Sequence, residues 1–160
     1  MAFADFIQFD AVITDLKAQT KNEVIAEMVE ALVKSGDLKQ EDAATVVEAV
    51  LNREALGTTG LGHGLAMPHS KVDCVDKVVG AVAISQGNGV DFDSLDAENV
   101  NLFFLVLSPE NSPNEHLATL SYISSRLKED ERALEQYLKQ CKTLEEVRTL
   151  LNEDDLRKPL

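Results

Sequence analysis

This chain is short of cysteine, of basic charge and of long apolar runs. Its two cysteines, Cys74 and Cys141, lie far apart and form no Cys-x-x-Cys. They read as reduced thiols of a cytoplasmic protein. Lysine and arginine number 15 against 28 aspartates and glutamates, a formal charge of −13. That balance disfavours nucleic acid and anionic membrane as partners, since both are polyanions. It leaves room for a small phosphate-bearing ligand held by local donors. No apolar run approaches the roughly 18–20 residues that cross a bilayer. The N-terminus, MAFADFIQFD, is acidic and has neither a basic n-region nor a cleavage site, which argues against secretion. Internal repeats, low-complexity tracts and linkers are also missing. What remains is 160 residues with 44% hydrophobic and 27% charged content, enough for one substantial core in a single domain, 1–160.

Helical periodicity organises both ends. Thr20-Lys21-Asn22-Glu23 fits a capping box, Val24, Ile25, Met28, Val29, Leu32 and Val33 follow at helical spacing, and Gly36 supplies the stop. A second helix is predicted from about Gln40 to Arg53, with Ala43, Val46, Val47, Val50 and Leu51 as its apolar face. Leu65–Met67 is a short apolar piece, Lys77–Ser85 a strand, and Asn101–Leu107 a gapless apolar run expected of a strand covered on both faces. Gln86–Asn99, rich in Gly, Asp and Asn, reads as loop. Ser112, Pro113 and Glu115 then suggest a second capping box, with His116, Leu120, Ile123 and Leu127 on one helical face. Segments near Asp130–Gln140 and Thr143–Leu151 complete the helices before a polar tail. Helices at both ends around buried strands predict a layered α/β domain.

The chemistry concentrates in Arg53–Lys71, REALGTTGLGHGLAMPHSK. Gly60-x-Gly62-x-Gly64 is not a dinucleotide fingerprint, and no P-loop Lys-Ser/Thr follows. His63, His69 and Cys74 match no familiar zinc spacing, so neither a metal nor a cofactor is expected. Ser70 and Cys74 lack a nucleophile-elbow pattern. A histidine nucleophile remains, because neutral imidazole can accept a phosphoryl group near pH 7. Such a transfer needs in-line approach and donors around three charged oxygens. Glycine backbone, hydroxyls of Thr58, Thr59 or Ser70, and the planar guanidinium of Arg53 could supply them. His116, in the first turn of its helix, could add a neutral N–H, although periodicity alone reads it as a core or boundary residue. Leu61, Leu65 and Met67 are candidates for a docking rim, with core packing favoured for at least two of them.

The run R-E-x-x-G-x-T-G-L-G-x-G-L-A-M-P-H over Arg53–His69 closely resembles the mannitol/fructose-type IIA domain of the bacterial sugar phosphotransferase system, a group that includes stand-alone nitrogen-regulatory IIA proteins. The resemblance continues through Gly89–Glu110, Glu115–Ser124 and the early K-x-E-V-I helix, nearly the whole chain. It implies a three-layer α/β/α sandwich with a mixed central sheet of about five strands. It also implies acceptance of phosphate from a small histidine phosphocarrier protein, with His69 as the phosphorylated residue and His116 and Arg53 beside it. His63 falls at a position regarded as variable and is expected on the surface. In sugar transport the next acceptor is a IIB domain, usually through cysteine. Neither Cys74 nor Cys141 sits in IIB-like sequence, so the resemblance implies a separate IIB protein or a regulatory target, with the regulatory role favoured and direct membrane insertion not expected.

Overall fold

The longest strand, β5 (Leu102–Pro109), is buried along its whole length, and the other elements are arranged on its two edges and two faces. The computed structural model describes residues 1–157. β4 (Val79–Ile84) runs antiparallel along one edge of β5, from Val79 opposite Leu107 to Ile84 opposite Leu102. The other edge is shared in parallel by β2 (Leu65–Ala66), against Leu102 and Phe103, and β3 (His69–Val72), against Val106 to Pro109. These two strands are pieces of one line, broken at Met67-Pro68. Proline offers no N–H to a ladder, but its carbonyl still accepts from Val106 N at 3.0 Å. β1 (Gly60–Gly62) folds back antiparallel onto β2. The N-terminal residues, for which the sequence suggested no structure, bridge the outer edge of β4 in parallel at Ile7–Gly80 and Ile13–Ala83.

Period-2 alternation divides the buried residues of this five-stranded mixed sheet between two cores. On one face Phe103, Leu105 and Leu107 pack with Ile25, Met28, Leu32, Val46 and Val50 of α1 (Lys21–Lys34) and α2 (Ala43–Ala55). On the other, Leu102, Phe104 and Val106 pack with Ile123, Leu127, Leu138 and Leu151 of α3 (Pro113–Lys128), α4 (Ala133–Lys139) and α5 (Leu144–Arg157). Both faces of β5 are covered by helices, which is why its sequence shows no polar alternation. The result is the α/β/α sandwich expected from the sequence.

Several local expectations are corrected. At α1 the Thr20 hydroxyl accepts from Glu23 N at 3.3 Å, but the Glu23 carboxylate reaches back to Gln19 N at 3.2 Å, one residue further than a capping box requires. At α3 the second box does not form. Thr20 is extended, with ψ 158°, whereas Ser112 has ψ 57° and caps nothing through its side chain. Its Oγ instead donates to Asn111 Oδ1 at 3.4 Å. α4 starts later than predicted, after Asp130, Glu131 and Arg132 take φ of 49°, 55° and 66°. α5 continues past Leu151 because tertiary partners hold what reads as a polar tail. Arg126, buried on α3, grips Asp154 through Nε (2.8 Å) and Nη2 (2.9 Å), and Asp155 accepts from Tyr122 Oη and Phe3 N. Residues 158–160 of that tail lie outside the described residues.

Candidate functional site

The site grows from the register of two parallel strands. His69 is the first residue of β3 and pairs with Val106, so its side chain shares the face of Val106, Phe104 and Ser108. α3 begins four residues after β5 ends and passes over that face. His116, in the first turn of α3, therefore meets Ser108 at the end of β5, with His116 Nδ1 2.6 Å from Ser108 Oγ. The two imidazole centroids are 5.4 Å apart and the rings are inclined by 58°. Two histidines nearly fifty residues apart in sequence thus meet on one face. The same alternation puts Lys71, opposite Ser108, near His116.

The ring nitrogens of His69 have different tasks. Nδ1 lies 2.8 Å from the Met67 carbonyl oxygen. A carbonyl only accepts, so Nδ1 carries the hydrogen in this contact, and the neutral ring keeps its lone pair on Nε2. Burial, offset in part by the Met67 carbonyl and deepened by the Arg53 charge, holds the His69 pKa below its ordinary value. His116 is buried, and burial together with the nearby His69 and Lys71 pulls its pKa down to about 4. Both rings are therefore neutral near pH 7. One offers an unshared pair; the other offers an N–H at Nε2 when Ser108 donates to its Nδ1.

Arg53 lies in the last turn of α2, where its Nη1 donates to the Gly57 carbonyl at 3.0 Å, and its charge is felt by His69. Of the three residues singled out from the sequence, His69 and His116 face each other, and the Arg53 charge acts on His69. The hydroxyls suggested as phosphate donors do not join them. Thr58 Oγ1 donates to the Phe92 carbonyl at 2.5 Å, and Thr59 Oγ1 donates to Glu54 at 2.5 Å. Ser70, opposite Leu107, points to the other face of the sheet and donates to the Lys71 carbonyl at 3.2 Å.

The glycines also have other tasks. Gly62, His63 and Gly64 all take positive φ (83°, 57° and 77°) and form the turn of the β1–β2 hairpin. A Cβ on Gly60 would come within 2.1 Å of Ser94 Oγ, so this glycine admits the loop that follows β4. His63 is exposed at the turn, where its N–H donates to Asp96 Oδ2 at 2.9 Å and its carbonyl accepts from Lys139 Nζ. Leu65 and Met67 are core residues, and of the three suggested rim residues Leu61 alone is exposed. Ser108, Lys71 and Glu54, which neighbour these groups, do not stand out in the sequence. The first two announce themselves only once His69 is placed on a strand beside β5. Glu54 follows Arg53 directly, but its burial cannot be read from helical spacing.

The sequence-family model for the EIIA 2 component of the phosphoenolpyruvate-dependent sugar phosphotransferase system matches residues 5–154. The chain belongs to that family. Among curated relatives, it is 33% identical over 133 residues to a nitrogen regulatory protein of Bradyrhizobium diazoefficiens, covering 83% of this chain and 84% of the relative. It is 39% identical over 124 residues to the fructose-specific EIIA component of Haloferax volcanii, covering 76% and 79%. Its fold matches the crystal structure of the nitrogen regulatory protein IIA-Ntr from Neisseria meningitidis with a TM-score of 0.81 at 30% identity, over 93% of this chain and 98% of that one. It also matches the mannitol IIA of Escherichia coli, solved in complex with phosphorylated IIB, with a TM-score of 0.74 at 27% identity, over 92% and 99%. A role as a phosphoryl carrier of the phosphotransferase system goes with the family. Among the described residues, no helix is long and apolar enough to cross a membrane.

Proposed function

We propose that this protein accepts a phosphoryl group on Nε2 of His69 from a small histidine phosphocarrier protein, and that it works in the cytoplasm as a stand-alone signalling IIA protein of the nitrogen-regulatory type. The observation that carries this reading is the Nδ1–H···O=C contact to Met67, which reserves Nε2 for attack beside a second neutral imidazole. In the transfer, the P–N bond of the donor's phosphohistidine breaks and its electron pair returns to the donor ring. A P–N bond to His69 Nε2 forms, and the positive ring charge passes with it. Nδ1 keeps its proton, and the Met67 carbonyl steadies the ring that now carries charge. His116 Nε2–H and the Arg53 guanidinium act on the phosphoryl oxygens, as preorganised donors do in a transfer that is mostly positioning and electrostatics.

Phosphorylation adds about −2 charge to the surface around His69, enough to change which regulator docks there. The similarity to the Bradyrhizobium and Neisseria nitrogen regulatory proteins supports the signalling role. The test is incubation with phosphoenolpyruvate, the general enzyme of the system and the small carrier. Acid-labile phosphate should appear and map by mass spectrometry to the peptide holding His69; absence of label, or label elsewhere, would overturn the reading. A second reading is a fructose/mannitol-type IIA component that donates to a separate IIB protein, favoured by the 39% identity to the fructose-specific component. It predicts that labelled protein discharges onto a IIB cysteine. Retention of the label with purified IIB, alongside a regulator bound in one phosphorylation state only, decides for signalling.

A further inference from the structure

The sequence Arg53-Glu54 ends α2 with two charges, and only the first has a place in the chemistry described above. Glu54 is buried, 5% exposed, and lies in a chain of contacts that ends at the nucleophile. Its Oε2 accepts from Thr59 N at 2.9 Å and from Lys21 Nζ at 3.2 Å, and its Oε1 accepts from Thr59 Oγ1 at 2.5 Å. The carboxylate thus holds one residue through both its amide and its hydroxyl. The Thr59 carbonyl then accepts from Met67 N at 3.0 Å, and the Met67 carbonyl accepts from His69 Nδ1. Lys21 is shared between Glu54 and Asp93 and lies 4.9 Å from the Phe92 ring centroid.

The geometry points to Glu54 as a positioning residue that sets the tautomer of His69 through Thr59 and the Met67 peptide. The Met67 carbonyl is the only partner found for His69 Nδ1 among the described residues, so its placement decides where the ring proton sits. Met67 lies between the end of β2 and Pro68, at the interruption of the strand line. Its amide is not spent on β5 but on Thr59. Free neutral histidine prefers its proton on Nε2, the tautomer that cannot attack phosphorus from that nitrogen. A Met67 carbonyl held in place reverses that preference. Burial makes a carboxylate costly unless it is paired and hydrogen-bonded, and here every hydrogen bond of the Glu54 carboxylate goes to Thr59 or to the Lys21 that compensates its charge. The adjacent Arg53 holds the same loop at Gly57, so the end of α2 grips residues 57–59 from both sides.

The test compares Glu54→Gln with Glu54→Ala. Glutamine can accept from Thr59 N and donate to Thr59 Oγ1, keeping both links; alanine keeps neither. The primary readout is the ¹⁵N chemical shifts of the His69 ring at neutral pH. They report the tautomer and do not depend on phosphorylation, so they stand even if the proposed function fails. Wild type and Glu54→Gln should show the proton on Nδ1, whereas Glu54→Ala should shift toward the Nε2–H form. In the phosphorylation assay, which does rest on the proposed function, Glu54→Ala should lower the rate constant by about 10- to 100-fold with little change in the affinity for the carrier. Glu54→Gln should stay within about threefold, well inside the roughly 10-fold loss that marks a disturbed supporting contact. A folded Glu54→Ala protein with the wild-type tautomer overturns the proposal. So does a Glu54→Gln protein that shifts as far as Glu54→Ala, because charge rather than position would then be at work. Should Glu54→Ala fail to fold, Thr59→Val removes only the hydroxyl link: a partial rise of the Nε2–H form supports the proposal, and an unchanged tautomer overturns it.

Discussion

The two ends of the glycine-rich stretch contain a histidine each and could hardly differ more. At Gly62–Gly64 the backbone takes three successive positive φ values, the side chain of His63 is exposed, and the contacts made are backbone contacts to Asp96 and Lys139. At Met67–His69 the chain is extended and half-buried or deeper, and His69 faces His116 across a packed interface. The glycines gather around His63, whereas the two neutral imidazoles meet at His69. Richness in glycine here marks a tight turn and the close approach of the loop at Ser94, whereas the proposed nucleophile stands where a strand meets the end of a neighbour and the start of a helix.

That contrast can be broken by substitution. His116→Ala should slow phosphorylation of His69 by about 100-fold or more, the loss typical of a preorganised donor, measured by the initial rate of acid-labile label. A rate within a few-fold of wild type would demote His116 to a packing residue. Gly62→Ala should act on stability instead. At φ 83°, with Asp96 Oδ2 3.1 Å from the added Cβ, it should cost about 1–2 kcal/mol. The folded variant should still take phosphate at close to the normal rate. A large loss of transfer without loss of the thermal midpoint would give the hairpin a direct part in the chemistry.

Acid sharpens the comparison further. Burial and the Arg53 charge lower the His69 pKa, so its neutral form survives as pH falls through 6.5 and is lost only as pH approaches the lower folded value. Arg53→Gln removes one lowering influence, so the His69 titration followed by NMR should move up, and a downward move would contradict the charge arrangement. His116 contributes to stability with a defined sign. Between about pH 6.5 and its folded value of about 4, the unfolded chain binds a proton that the native ring refuses. Stability should therefore fall as pH drops through that window, and His116→Gln should flatten the fall in urea melts. The smallest effect belongs to the other end. His63→Ala should leave phosphorylation within about twofold and stability within about 0.5 kcal/mol, as for an exposed surface side chain.

Much of this is legible in the sequence. Helical spacing located α1, α2 and α3, and the gapless run at Asn101–Leu107 announced a strand covered on both faces. β1 and β3 were not legible, because three residues of glycine and leucine, or His-Ser-Lys-Val, carry too little periodicity to stand out. The cap at Ser112 failed because a capping motif specifies residue types and not the ψ that lets the hydroxyl reach the helix. The length of α5 was hidden for a similar reason: Asp154 and Asp155 look like a solvated tail until Arg126 and Tyr122 stand opposite them.

The sequence by itself determined that a candidate nucleophilic imidazole, an arginine and a second histidine were present in a chain otherwise poor in positive charge. It also determined the family, since the run from Arg53 to His69 is long and specific. The tertiary structure alone decided which of those groups meet and in what protonation state. The parallel register of β3 against β5 puts His69 two residues before Ser108 on a common face, and α3 delivers His116 to the same place. The proton on His69 is placed by a Met67 carbonyl whose position depends on Thr59 and Glu54. Distances of this kind are set by strand pairing and by burial, and both join residues that the linear sequence keeps apart.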